Sequence, residues 1–195
     1  GGVHFAYISH RRARVAPEVR LYHTTGVTAL HFIADARHSY LLATDTLRAR
    51  RALAQTARRD WDSHNLNVAF LPLSALSTAE GCTALQQHCA PAGSRPNASP
   101  TLIDFSPRVV LFAHRRWAVV RELLPLFPPR EPLVVDYLVL TRGARNHLPR
   151  LLRFYRPRLL LLAADLSDHY RLRYLEEAGA LRLPVFDVDR QGAFL

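Results

Sequence analysis

Two near-continuous apolar runs, joined by one short basic loop, constrain this chain more than any other feature. Val134, Val135, Leu138, Val139 and Leu140 make the first run, and Leu159 to Ala164 the second. Each has the length and composition of a strand covered on both faces. Between them lies Thr141-Arg142-Gly143-Ala144-Arg145-Asn146-His147, polar and holding the only glycine nearby. Pro149 suits the first turn of a helix, where its missing N–H would have no partner anyway. Leu148, Leu151, Leu152 and Tyr155 follow at helical spacing, and Arg156-Pro157 ends that helix. The order strand, loop, helix, strand predicts a parallel pair with the loop at the carboxyl end of its first strand. Sites gather at such ends, so residues 141 to 147 are the first place to look for function.

The rest of the chain organises around this unit. Residues 3 to 8 read as a short strand, and Arg11, Arg12 and Arg14 form a basic cluster. Glu18 to His23, Val27 to Ala34 and Ser39 to Ala43 alternate with turns and predict an antiparallel meander. Its core face would be Leu21, Leu30, Phe32, Tyr40 and Leu42. Asp45 is placed to cap a helix from about Leu47 to Trp61, whose outer face is rich in arginine. Val68 to Leu73 reads as a strand. Residues 74 to 100, dominated by Ser, Thr, Ala, Gly and Pro, read as a flexible excursion with one helical turn around Thr83 to His88.

Thr101 to Phe105, Val109 to Ala113 and Trp117 to Arg121 read as further strands, with His114-Arg115-Arg116 as a hairpin turn. His169 to Ala178 predicts a helix closed by Gly179, and Val185 to Val188 a last strand. Hairpins early and alternating strands and helices late point to an α/β sandwich of mixed sheets flanked by helices. Residues 1–195 are expected to form a single domain.

Charge narrows the partners. The formal net charge is +10, and every one of the 26 basic residues is arginine. Guanidinium binds phosphate bidentately, so such a surface would attract nucleic acid or anionic lipid. An ordinary solvated surface is the competing explanation. The chain opens Gly1-Gly2 without an initiator methionine and is expected to be a piece of something longer. No apolar run approaches the roughly 18 residues of a membrane span, and no signal-peptide pattern is present. Cys82 and Cys89, spaced C-x6-C beside His88, are too few and wrongly spaced for structural zinc. A disulfide between them stays open.

Taken in order, Asp136-Tyr137-Leu138-Val139-Leu140, the 141–147 loop, Arg156-Pro157-Arg158 with its apolar run, and the closing Asp189-Arg190-Gln191-Gly192-Ala193 form a recognisable series. The chain resembles the C-terminal metallo-β-lactamase-like domain of the ComEC family, membrane channels of bacterial DNA uptake. The likeness is strongest over residues 133 to 195. It implies an αββα sandwich, a soluble domain of a larger bacterial inner-membrane protein, and two partners: DNA and the membrane-embedded remainder of the same chain.

The resemblance also shows departures. Where the family has a His-His-Gly-Ser loop, this chain has Thr141, Arg142, Gly143 and Ala144, and the His-x-His-x-Asp-His signature occurs nowhere. A guanidinium cannot coordinate a metal and would repel one. The domain is therefore expected to be a degenerate, non-catalytic member without a cofactor. Arg142, Arg145, Asn146 and His147 are its candidate DNA contacts. Two alternatives stand beside this. One is an active nuclease holding zinc or manganese with atypical ligands, for which Asp165, Asp168 and His169 are the best surviving cluster. The other is a structural module that packs on the membrane part of its parent.

Overall fold

The computed structural model describes residues 17–89 and 103–195. The strand expected at 3 to 8, the Arg11, Arg12 and Arg14 cluster, and the stretch from 90 to 102 lie outside them. Two mixed sheets pack face to face. The first has strands β1 (Glu18–Leu21), β2 (Ala29–Ile33), β3 (Ser39–Ala43) and β4 (Val68–Pro72), in that spatial order. The expected meander is β1–β2–β3, antiparallel throughout, while β4 adds parallel to β3. The second sheet has β5 (Ile103–Ser106), β6 (Val109–Phe112), β7 (Arg115–Val120), β8 (Leu133–Leu140), β9 (Tyr155–Leu162) and β10 (Val185–Asp187). Its order is β10-β9-β8-β7-β6-β5, parallel from β10 to β7 and antiparallel beyond.

Alternation along the strands explains the layering. Leu21, Leu30, Phe32, Tyr40 and Leu42 point inward and meet Phe105, Val110, Phe112, Trp117, Val119, Val139 and Leu161 of the other sheet. The intervening Ala29, Leu41 and Ala43 face Ala49, Leu53 and Trp61 of helices α1 (Thr46–Thr56) and α2 (Arg58–Ser63). On the far side, Leu138, Leu140, Leu160 and Leu162 meet α4 (Leu148–Leu151) and α5 (Asp168–Ala180). Each apolar run is thus covered on both faces, which is why it reads without polar alternation. The layers are helix, sheet, sheet, helix: the expected αββα sandwich. Helix α6 (Val188–Gln191) leads to Phe194, whose backbone pairs with Leu21 at 2.9 and 3.0 Å and ties the end of the chain to β1.

Several local expectations need correction. Residues 74 to 89 are no flexible excursion: a 3-10 turn Leu73–Ser77 leads into helix α3 (Ala79–Cys89), and Leu76, Cys82, Leu85 and Cys89 enter the inter-sheet core. Both thiols are free and buried. Seven residues of one helix separate them by roughly 10 Å, too far for a disulfide. The helix expected from Leu148 to Tyr155 stops at Leu151, and Tyr155 opens β9. Pro157 is tolerated inside β9 because β10 pairs only with Leu160 to Leu162, leaving that side of Pro157 without a neighbouring strand.

The hairpin turn is Ala113-His114, both at positive φ (48° and 62°), as a two-residue connection demands, and Arg115 and Arg116 belong to β7. The single helix expected from Leu47 to Trp61 is two, broken at Ala57. Gly179 lies inside α5, and Arg182 takes the left-handed position at φ 53°. Leu183 N–H donates to the Ala178 carbonyl at 2.9 Å and Leu183 packs on the core, so burial of Leu183 fixes where the helix ends.

Beneath α2 lies a buried polar network. His31 Nδ1 bonds Tyr22 Oη at 2.9 Å and Nε2 bonds Ser39 Oγ at 2.6 Å, while Trp61 Nε1 donates to Tyr22 Oη at 3.0 Å. Burial, with the nearby Arg20 charge, pushes the His31 pKa from 6.5 down to about 3. The native imidazole stays neutral while the unfolded one takes up a proton below pH 6.5. Stability is therefore lost as pH falls through the window from 6.5 towards 3. About 2 kcal/mol should disappear between pH 7 and pH 5 from this one group. Urea unfolding at the two pH values should show the loss in the wild type. It should be missing from the difference measured for His31→Phe; an equal loss in that variant would refute the assignment.

Candidate functional site

The 141–147 loop is moulded by side chains of α5. Tyr174 Oη donates to the carbonyls of Ala144 (3.0 Å) and Asn146 (2.6 Å), and Arg173 donates to those of Arg145 (3.4 Å) and Asn146 (3.2 Å). Glu177 accepts from Leu148 N–H at 2.6 Å, capping α4, and its other oxygen meets His147 Nδ1 at 2.6 Å. Underneath, Thr141 N–H donates to the Val120 carbonyl at 3.1 Å. Gly143 rests on the Arg121 backbone: a Cβ there would lie 1.6 Å from the Arg121 carbonyl oxygen. Close approach, not an unusual φ, requires the glycine.

This packing separates the candidate residues. Asn146 is buried, and its carboxamide bridges the Leu124 N–H and the Glu122 carbonyl, each at 3.5 Å. His147 is held by Glu177. Asn146 and His147, two of the four expected DNA contacts, thus already carry bonds within the loop's own architecture. Arg142 and Arg145 are exposed, and among the described residues neither guanidinium is ion-paired.

Arg142 and Arg145 line a cleft of about 400 Å³ with Gly26, Thr44, Asp45, Arg121, Thr141, Gly143 and Asp165. Thr44 follows β3, Arg121 follows β7, Thr141 to Arg145 follow β8, and Asp165 lies just past β9. Carboxyl-end loops of both sheets thus converge on one opening, as α/β sheets favour. Arg48 of α1 lies over Gly26, within 3.2 Å of where a Cβ would stand. Asp45 caps α1 as expected, accepting from Arg48 N–H at 2.9 Å. Asp165 is buried and accepts from Arg142 N–H at 3.2 Å. Burial pushes its carboxyl pKa up, against the pull of the Thr28 hydroxyl, the Arg142 N–H and the Arg142 charge.

The alternative metal cluster does not assemble. Among the described residues no group of three or more His, Cys, Asp or Glu side chains could hold a metal ion. Asp168 is the first residue of α5, after an N-cap at Ser167, and both Asp168 and His169 are exposed. The cleft offers two carboxylates, one of them used as a cap, among three arginines. Such a donor set does not fit a divalent cation, which needs several convergent neutral or anionic donors. Arg121 was missed in the sequence. Its position directly after the apolar run Trp117 to Val120, at a strand's carboxyl end, was the available signal.

No helix among the described residues is long and apolar enough to cross a membrane. No curated protein and no solved structure matches the chain. A family model described as the ComEC C-terminal domain matches residues 19–195, nearly the whole length and all but the first two residues of the described fold. With that match the αββα sandwich is the lactamase-like fold expected from the resemblance. The chain belongs to the ComEC C-terminal domain family, a family of DNA uptake.

Proposed function

We propose that this domain is a non-catalytic DNA-handling module of a ComEC-like membrane protein, and that its carboxyl-end cleft holds the phosphate backbone. The carrying observation is that Arg121, Arg142 and Arg145 line one opening, with only Asp45 and Asp165 to offset them. Guanidinium groups at such a convergence favour an anion, and contacts to phosphate alone carry no sequence preference. The family supports DNA as the source of that anion. Exposure of Arg142 and Arg145 keeps them accessible to a long polymer.

Fluorescence anisotropy with a labelled single strand and a labelled duplex tests this. Affinity should fall steeply between about 50 and 200 mM salt. Arg142→Ala with Arg145→Ala should weaken binding to all sequences alike and flatten the log–log salt slope by roughly 1.5. A wild-type affinity indifferent to salt, or a double variant with an unchanged slope, would sink the reading. Labelled DNA should also stay uncut in manganese or zinc. Cleavage that Asp165→Ala abolishes would make the domain an enzyme.

A further inference from the structure

Helices α1 and α2 carry five arginines, Arg48, Arg50, Arg51, Arg58 and Arg59, and the fold gives them different surroundings. The Arg50 guanidinium lies over the Phe70 ring, 4.6 Å from its centroid. Arg58 pairs with Asp62 at 3.7 Å. Arg48 and Arg51 are exposed, and among the described residues neither guanidinium is ion-paired. No acidic residue lies in α1. Of the neighbouring acids, Asp45 caps α1 through the Arg48 N–H, Asp60 pairs with Arg20, and Asp62 with Arg58.

Position separates Arg48 and Arg51 from an ordinary solvated helix face. The Arg48 Nη2 lies 3.2 Å from where a Cβ of Gly26 would stand, and Gly26 lines the cleft with Arg121, Arg142 and Arg145. Thr44 and Asp45, also in that lining, lead directly into α1. Arg51 comes three residues after Arg48, on the same helix face and about 4.5 Å further along the axis. Cations therefore continue from the cleft along α1. The cleft, at about 400 Å³, is near the small end of ligand pockets and would leave most of a polymer outside it. One small anion could not reach all five guanidinium groups, whereas a chain of linked anions could.

We propose that α1 extends the nucleic-acid surface: a strand with one phosphate among Arg121, Arg142 and Arg145 runs out past Gly26 and sets its next phosphates on Arg48 and Arg51. This rests on the phosphate binding proposed for the cleft. Contacts of this kind meet the backbone alone, so the extension adds affinity without adding sequence preference.

Fluorescence anisotropy of the 195-residue chain with a labelled strand of about twelve thymidines tests it. Arg48→Ala with Arg51→Ala should lower affinity about tenfold at 50 mM salt and flatten the log–log salt slope by roughly 1.4, two phosphates' worth for a single strand. Its circular dichroism spectrum should be unchanged, since both side chains are exposed. Arg156→Ala with Arg158→Ala removes the same charge from the amino half of β9, at the other end of the strands from the cleft, and should change affinity less than twofold. An Arg48 and Arg51 variant that binds like wild type would overturn the extension, while a loss with Arg142→Ala and Arg145→Ala would still uphold the cleft. Equal losses from the β9 variant would also overturn it, since net charge alone would then set the affinity. So would a loss on α1 with none at Arg142 and Arg145, which would detach the helix from the cleft and refute phosphate binding there.

Discussion

Gly143→Ala should destabilise the domain by about 4 kcal/mol or more and lower its melting temperature by roughly 10 °C. A methyl group at this position would sit 1.6 Å from the Arg121 carbonyl oxygen and 2.5 Å from the carbonyl carbon. Backbone cannot yield as a flexible side chain does, so the loop must lift from the end of β7. That displacement would strain the Thr141 N–H bond to Val120 and the Ala144 N–H bond to Thr141 (2.8 Å). It would also pull Asn146 from Glu122 and Leu124. Arg121, Arg142 and Arg145 would no longer face one opening, so DNA affinity should fall even where the variant stays folded. Calorimetry with the anisotropy assay at low temperature separates the two effects. A melting temperature within about 2 °C of wild type would show that the close approach does not matter.

Arg171→Met should cost about 3 to 5 kcal/mol. Arg171 on α5 is only 3% exposed, and its guanidinium pairs with the equally buried Asp187 at the end of β10. The same group donates to the carbonyls of Ala163 (3.3 Å), Ala164 (3.5 Å) and Leu166 (2.9 Å). One cation thereby holds the chain just past β9 and the terminus of β10. Met fills the volume but leaves a buried carboxylate and three carbonyls without their donor, which is the costly way to break a buried pair.

Adding Asp187→Asn should recover part of the loss, because the stranded charge is then gone. Urea unfolding of the two single variants and the double variant gives the coupling. Additive losses, or an Arg171→Met cost under about 1 kcal/mol, would refute a role for the pair. Since Asp165 stands between Ala164 and Leu166, the cleft should loosen along with the pair.

How much was legible follows from what each pattern can encode. β2, β3, β8 and the apolar half of β9 read directly because strands buried on both faces have little alternative as continuous apolar runs. Helix α3 was misread because the Ser, Thr, Ala, Gly and Pro content of residues 74 to 100 outweighed a spacing that was present: Cys82, Leu85 and Cys89 recur at three and four residues. Leu148 to Tyr155 failed the other way. Its spacing suits a helix, yet Tyr155 pairs with Leu133, and strand pairing overrode the local preference. The 141–147 loop was singled out from its sequence, and the structure divides its four candidates: Arg142 and Arg145 are exposed, Asn146 is buried and His147 is bonded to Glu177. Nothing local to Asn146 or His147 distinguishes a ligand contact from a bond to Glu122, Leu124 or Glu177, which are distant in sequence.

By itself the sequence determined the sandwich, the family resemblance, the loss of the imidazole motif and the basic character of the loop, because these reside in residue type and periodicity. Only tertiary structure decided which side chains share the cleft. Arg121, Asp45 and Asp165 reach it from three strands, and the Tyr174 and Glu177 side chains that shape its loop come from a helix nearly 30 residues further on. Packing also decided why Gly143 must be glycine: the obstacle is the backbone of another strand, which no local pattern records.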